Sequence, residues 1–253
     1  MAITLTRGSK KTLPQMKMLW LECFPDDTDF VSVFFEKFYR PRKSFLLFEG
    51  EKLVSMLYYM DVKMKYDGRK IKCAYLYGVA TKLSERRQGH FKRLHDAFLD
   101  EMKSKNYDAV MTIPESELLF SLYKDMGYTL PLRRCEYELT SMELTPVENL
   151  REVWLYKKEL HKKCRLGLSV LESEEQFYET VRDHRIFAYD GGYLAFYPDG
   201  SKFTLYGIIS QDPLHAPASL VHYERSALVM DVSGKLNREK IEKDKPILAF
   251  LLS

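Results

Sequence analysis

The stretch from Tyr75 to Phe91 constrains this chain more than any other. It opens as Tyr75-Leu76-Tyr77-Gly78-Val79-Ala80-Thr81, aromatic, apolar and uncharged, which reads as a strand. A short polar turn with Lys82, Ser84 and Glu85 leads into Arg86-Arg87-Gln88-Gly89-His90-Phe91. Beyond it, Phe91, Leu94, Phe98, Leu99 and Met102 recur at the spacing of one buried helix face. The unit is therefore a strand, a basic loop bearing a glycine, and a helix. A helix N-terminus offers unpaired backbone N–H groups and a partial positive charge, and successive N–H groups in such a turn can cradle a phosphate. Arg86, Arg87, Lys92 and Arg93 crowd the start of the helix, where the dipole disfavours cations. A polyanion seated in the loop accounts for them; a solvated basic turn is the plain alternative.

Composition narrows the class. A chain of 253 residues with 45% apolar content fits one large globular domain or two small ones. A net charge of +3, with the cations gathered at one loop, argues against nucleic acid as a partner. No apolar run is long enough to span a bilayer, and Met1-Ala2-Ile3-Thr4-Leu5-Thr6 lacks the layout of a signal peptide. Cys23, Cys73, Cys135 and Cys164 are spaced neither as metal ligands nor as a redox pair, and the six histidines form no metal pattern. The expectation is a cytoplasmic protein with reduced thiols, no metal and no membrane attachment.

In chain order, a helix is expected over Leu13–Phe24 with Met16, Leu19, Trp20 and Cys23 inward. Asp29 can cap a second helix with Val33, Phe34, Phe38 and Tyr39 facing inward, ended by Pro41. Strands come next over Ser44–Glu49 and Lys52–Met60, and Tyr66-Asp67-Gly68-Arg69 marks a hairpin. After the Phe91–Asn106 helix come a strand at Ala109–Ile113 and a helix capped by Ser116, with Leu119, Leu122 and Met126 as its core stripe. Gly127 suits a left-handed terminal position with Tyr128 folding back. A strand over Arg133–Thr140 leads away from this block.

Two motifs now make a resemblance. Val79-Ala80-Thr81 followed by Arg86-x-x-Gly89 and an amphipathic helix resembles the acyl-CoA pyrophosphate motif of the GCN5-related N-acetyltransferases, except that Phe91 stands where a small residue is usual. Leu122-Tyr123-x-x-x-Gly127-Tyr128 resembles that family's helix ending in Leu-Tyr-x-x-x-Gly-Phe. The resemblance spans about Leu5 to Leu139. It implies an α/β (α+β) fold with a mixed, mostly antiparallel sheet flanked by helices, acetyl-CoA as co-substrate, and direct attack of an amine on the thioester. It assigns the pantetheine arm to the backbone of Val79, Ala80 and Thr81, and the pyrophosphate to Arg86, Arg87, Gln88, Gly89, His90 and Phe91. Tyr123 becomes the candidate general acid, since a phenol with a reference pKa of about 10 is protonated at neutral pH. No base stands out: Glu115 and Asp61 are placed at strand ends, and Tyr58, Tyr75 and Tyr77 can line an acceptor slot or be plain core. The acceptor is expected to be a small-molecule or peptide amine. A catalytically silent acyl-CoA-binding protein that keeps the fold is the alternative.

The remainder echoes the first half. Phe48-Glu49-Gly50-x-x-Leu53 is matched by Tyr189-Asp190-Gly191-x-x-Leu194, Asp67-Gly68 by Asp199-Gly200, and Leu76-Tyr77-Gly78-Val79 by Leu205-Tyr206-Gly207-Ile208. Two expected helices, Leu150–Lys163 and Glu174–Arg185, precede this block, as two precede the first. The expected division is an acyl-CoA-binding domain over 1–142 and a degenerate copy over 143–253 that lacks a phosphate loop and helps shape the acceptor site. The apolar tail Lys245–Ser253 is expected to be a buried strand. Some tandem members of the family use the chain terminus as a catalytic carboxylate, which makes Ser253 a candidate for that role.

Overall fold

The computed structural model describes residues 2–25, 28–139, 144–163, 168–171, 173–182, 184–199, 202–210 and 218–239. The chain forms two compact units. The first holds Met1–Asp61, Cys73–Thr112 and Val232–Gly234; the second holds Val62–Lys72, Ile113–Asp231 and Lys235–Ser253.

The first unit is built on a sheet of β1 (Ile3–Thr6), β2 (Ser44–Glu49), β3 (Lys52–Tyr66), β4 (Arg69–Thr81) and β5 (Ala109–Thr112), in that order. β1, β2 and β3 pair antiparallel, whereas β5 runs parallel to β4. β3 and β4 are longer than expected, and the parts beyond Asp61 and before Cys73 belong to the second unit. Alternation along the strands sends side chains to two faces. One face is covered by α1 (Leu13–Cys23) and α2 (Thr28–Val33): Met16, Leu19, Trp20 and Phe34 pack with Leu46, Met56 and Tyr58. α3 (His90–Ser104) covers the other, where the Phe98 ring meets Phe45 at 5.8 Å and Tyr59 at 5.4 Å. Helices on both faces of one sheet bury both apolar surfaces.

α2 departs from expectation at both ends. It begins at Thr28, so Asp29 lies in its first turn and is not its cap. Past Val33 the backbone widens into a π-turn over Phe34–Phe38, closed by the Tyr39 N–H donating to the Phe34 carbonyl at 3.0 Å. The extra residue rotates the side chains beyond it. Phe34 and Tyr39 are buried, but Phe38, expected inward, is 44% exposed.

In the second unit, β3 and β4 are joined by a two-residue turn with positive φ at Asp67 (47°) and Gly68 (79°), the geometry that matches the twist of a hairpin. α4 (Glu117–Asp125) is capped by Ser116, whose Oγ accepts from the Leu119 N–H at 3.4 Å. It ends as expected, with Gly127 at φ 99° and the Tyr128 N–H donating back to the Tyr123 carbonyl at 3.0 Å. Its buried side chain is Tyr123; Leu122, expected in the core stripe, is 41% exposed.

β6 (Leu130–Leu139) leads to β7 (Thr145–Pro146), α5 (Leu150–Lys163), β8 (Leu168–Leu171), α6 (Glu174–Thr180), β9 (Arg185–Tyr189), β10 (Gly192–Asp199), β11 (Lys202–Ser210) and β12 (Ala218–Asp231). α6 stops short of its expected end because Arg185 opens β9. β12 pairs antiparallel with β6, and β8 with the end of β3. β7, β9, β10 and β11 form an antiparallel sheet on which α5 and α6 pack through Val153, Trp154, Phe177 and Val181. Gly200 and the tail Lys245–Ser253, Ser253 included, lie outside the described residues.

Candidate functional site

β4 and β5 run together only briefly. Their register ends at Tyr75 opposite Met111, while β4 continues to Thr81. Beyond Tyr75 the edge of β4 that faced β5 has no strand partner among the described residues. Gly78 lies within this stretch of the strand with a left-handed backbone, at φ 55°.

The free end of β4 is held from its other side. Ser55, fully buried on β3, donates to the Ala80 carbonyl at 3.0 Å and shares a 2.8 Å hydrogen bond with the Thr81 hydroxyl. The Lys82 N–H donates to the Val54 carbonyl at 2.9 Å. The loop beyond is tied down by two carboxylates. Glu22, at the end of α1, accepts from the Leu83 N–H at 2.9 Å and from Lys82 Nζ at 3.2 Å. Glu85 accepts from Lys52 Nζ at 2.6 Å and from Gln88 Nε2 at 3.0 Å. The Leu83 amide is the main cause holding the Glu22 carboxyl below its ordinary value, and the hydrogen bond from Lys52 does the same for Glu85.

The loop backbone then bends into a cradle. Arg87 takes φ 63° and Gly89 φ 78°, with Gln88 at negative φ between them. Alternation of hand turns successive amides toward one side, the arrangement that forms anion-binding concavities. Among the described residues, the N–H groups of Arg87, Gln88 and Gly89 have no hydrogen-bond partner. Gly89 is also the N-cap of α3, whose first turn adds further unpaired donors. A Cβ on Gly89 would meet no protein atom within 4 Å. What demands glycine here is the left-handed backbone, and the space in front of it is open. For Arg87 that conformation costs about 1–2 kcal/mol, strain of the kind that collects at functional sites.

The cations divide into two kinds. Arg86 turns back, its Nε donating to the Thr81 carbonyl at 3.3 Å. Lys92 pairs with Asp96 at 2.7 Å. Arg87 and Arg93 are exposed and have no ion pair or side-chain hydrogen bond among the described residues. Beneath them His90 is 5% exposed, and neither ring nitrogen has a hydrogen-bond partner. Unpaired amides, two available guanidinium groups and an orphaned buried imidazole suit a bound diphosphate.

The other expected residues are placed less uniformly. Val79, Ala80 and Thr81 lie on the free end of β4, continuous with the cradle from Arg86 to Phe91. Phe91 is half-buried, its ring 5.7 Å from that of His95. Tyr77 is half-buried against Trp20 at 5.7 Å and Phe34 at 5.4 Å, whereas Tyr75 is 5% exposed. Tyr58 is a core residue and does not line a slot: it is 3% exposed, and its hydroxyl donates to the Phe38 carbonyl at 2.8 Å and accepts from the Arg40 N–H at 3.2 Å. Burial pushes its pKa up to about 12.

Asp61 is exposed. It lies about 20 Å along β3 from Val54, the residue beside Lys82. Its carboxylate bonds to Lys43 Nζ at 2.6 Å and to the Tyr107 hydroxyl. Glu115 and Tyr123 belong to the second unit, where Glu115 is exposed and Tyr123 is 6% exposed with its ring 5.2 Å from Tyr128. Sequence reasoning missed Ser55, Glu22 and the left-handed Arg87. None of these left a sign in the sequence, whereas the left-handed Gly78 did, as a glycine inside a strand pattern.

A mixed sheet carries helices on both faces, and its parallel pair parts beside the amide cradle. Residues 5–130 match the family model of the acetyltransferase (GNAT) domain, and through this segment the chain belongs to the GCN5-related N-acetyltransferases. It is similar in fold to a GCN5-related N-acetyltransferase of Kribbella flavida, with TM-score 0.72, 12% identity, 90% of this chain and 70% of that one covered. It is likewise similar to one from Anabaena variabilis, with TM-score 0.69, 12% identity and coverage of 92% and 73%. A conserved protein of Enterococcus faecalis gives TM-score 0.69 at 13% identity, with 95% and 75% covered. No curated protein matches the sequence.

Proposed function

We propose that the protein is an N-acetyltransferase that moves an acetyl group from acetyl-CoA to a primary amine of a small molecule or peptide. One observation carries this reading: the unpaired amides of Arg87, Gln88 and Gly89 open beside the free end of β4. That arrangement offers a diphosphate and an extended amide-bearing arm adjoining places on one unit. Acetyl-CoA supplies the thioester that the amine attacks.

In this reading the cradle and the Arg87 and Arg93 guanidinium groups hold the diphosphate by charge-assisted hydrogen bonds. The free edge of β4 at Val79–Thr81 pairs with the pantetheine arm. An amide near Val79 polarises the thioester carbonyl, and a preorganised donor of this kind is worth about 3–4 kcal/mol of the barrier. Ser55 and Glu22 fix the strand end and the loop, so the donors need no reorganisation when the ligand arrives. Tyr123 is the proposed proton donor to the departing thiolate. The division at about residue 142 and the degenerate second copy remain part of the proposal. Apart from β8, inserted between α5 and α6, the elements α5, α6, β9, β10 and β11 repeat the order of α1, α2, β2, β3 and β4. The register of β10 and β11 also slips at Tyr206, beside Gly207, as β4 turns left-handed at Gly78.

The test is release of free thiol from acetyl-CoA across a panel of primary amines, with the acetylated amine identified by mass. Acetyl transfer to at least one amine is expected. Tight CoA binding with no transfer to any amine would reduce the protein to an acyl-CoA binder.

A further inference from the structure

Phe38 is a large apolar side chain that the fold holds out in water. It is 44% exposed, yet the backbone around it is pinned. The Phe38 carbonyl accepts from the Tyr58 hydroxyl at 2.8 Å, and that hydroxyl accepts from the Arg40 N–H at 3.2 Å. The Tyr39 N–H closes the π-turn on the Phe34 carbonyl at 3.0 Å. Tyr58 and Tyr39 are themselves buried, so the Phe38 backbone is anchored to the core. Turns of this type collect at functional sites. A side chain presented from an anchored backbone loses little freedom when something binds it.

The apolar surface runs from Phe38 in two directions. Along α2, Phe30 and Val33 are 43% and 42% exposed, and Phe30, Phe34 and Phe38 recur every four residues. A surface helix ordinarily turns polar residues outward. Toward the sheet, the Phe38 ring stacks on Phe34 at 6.4 Å, and Phe34 lies 5.4 Å from Tyr77. Tyr77 is half-buried on β4, past the last residue paired with β5 and two residues before Val79. The run of rings lies wholly within the first unit and joins exposed surface to the stretch of β4 assigned to the thioester. Asp61, the acid expected to meet the acceptor, is instead engaged by Lys43 and Tyr107.

We propose that the acceptor is a primary amine with an apolar arm, alkyl or aryl, and that the surface of Phe30, Val33 and Phe38 binds that arm. The amine then lies toward Tyr77 and Val79. The inference rests on the N-acetyltransferase reading and names the class of its acceptor. Exposed apolar side chains gathered beside a site mark a place where a ligand is desolvated. Each methylene taken out of water there is worth about fourfold in affinity.

The experiment measures initial rates of acetyl transfer to straight-chain primary amines from ethylamine to octylamine, and to phenethylamine against ethanolamine. It compares wild type with Phe38→Ser, Phe38→Leu and Val33→Ser. In wild type kcat/KM should rise by up to about fourfold per methylene until the arm outgrows the surface, and phenethylamine should exceed ethanolamine. Phe38→Ser and Val33→Ser should flatten that rise, and Phe38→Leu should keep most of it. Acetyl-CoA affinity, read by calorimetry, should not change in any of them, since these residues stand apart from the cradle. Should Phe38→Ser fail to fold, Val33→Ser reads the same slope. Transfer that is indifferent to the arm, or a slope in folded serine variants as steep as in wild type, overturns this acceptor class and leaves the acetyltransferase reading standing. Acetyl-CoA binding with no transfer to any amine overturns both.

Discussion

Gly78 and Trp20 meet so closely that a Cβ on the glycine would lie 2.6 Å from Cζ3 of the indole. The contact fixes α1 against β4 where the strand turns left-handed. Trp20 in turn gathers Phe24, Phe34, Phe35 and Tyr77 at ring distances of 4.8–5.7 Å. Gly78→Ala combines overpacking with a left-handed backbone at φ 55°. It should cost about 2–4 kcal/mol of stability in urea denaturation. Trp20→Leu opens the space, so the double variant should lose less than the sum of the two single changes. Additive losses would mean that the two residues do not oppose each other in this way.

Gly89→Asp places a Cβ and a negative charge on the left-handed residue at the head of the cradle. CoA binding, read by calorimetry, should be abolished while the far-ultraviolet spectrum stays native. Raising the salt concentration should weaken binding to the wild-type protein, since exposed Arg87 and Arg93 act through screened charge. Unchanged affinity in a folded Gly89→Asp protein would move the ligand elsewhere.

Tyr123→Phe retains the ring that packs on Tyr128 and removes the hydroxyl. As the proposed proton donor to the leaving thiolate, Tyr123 should be needed for turnover and not for binding. A fall of about a hundredfold in kcat is expected, with CoA affinity little altered. Equal turnover in both proteins would leave Tyr123 a packing residue.

The two loop tethers give a signed dependence on pH. Folding holds the Glu22 carboxyl below its ordinary value, chiefly through the Leu83 amide, and the Glu85 carboxyl likewise through the hydrogen bond from Lys52. A depressed folded value contributes stability that is complete above the unfolded value and is lost as pH falls through the folded one. The thermal midpoint of wild type should exceed that of a Glu22→Gln/Glu85→Gln protein near neutrality. The gap should close as pH falls from about 6 to about 3. A gap that persists at low pH would show that charge is not the source of the tethers.

The range of each interaction decides whether the sequence revealed it or hid it. α1, β2 and the Gly127 turn were legible because they depend on periodicity and on neighbours a few residues apart. The strand, loop and helix around Arg86–Phe91 were legible for the same reason. The outward Phe38 was not, because it depends on one hydrogen bond, from the Tyr39 N–H to the Phe34 carbonyl, that no residue type announces. In α4 the apolar spacing of Leu119, Leu122 and Met126 misplaced the buried face. A helix of nine residues offers too few turns to decide between adjacent positions, and Tyr128 draws Tyr123 inward. Asp61 looked available for chemistry because its partners, Lys43 and Tyr107, are remote in the chain. Arg87 hid its left-handed backbone because arginine is not a residue from which that conformation is expected.

The π-turn at Phe34–Phe38 has a consequence for the length of the chain. A π-turn holds one residue more than an α-turn, and each helical residue turns the side chains by about 100°. Losing a single residue from this segment would let an ordinary α-turn form and swing Phe38 from solvent toward the sheet, displacing Tyr39. Which ring faces outward is thus a matter of counting, decided by one codon in or out. Hydrophobicity alone would not have chosen between them.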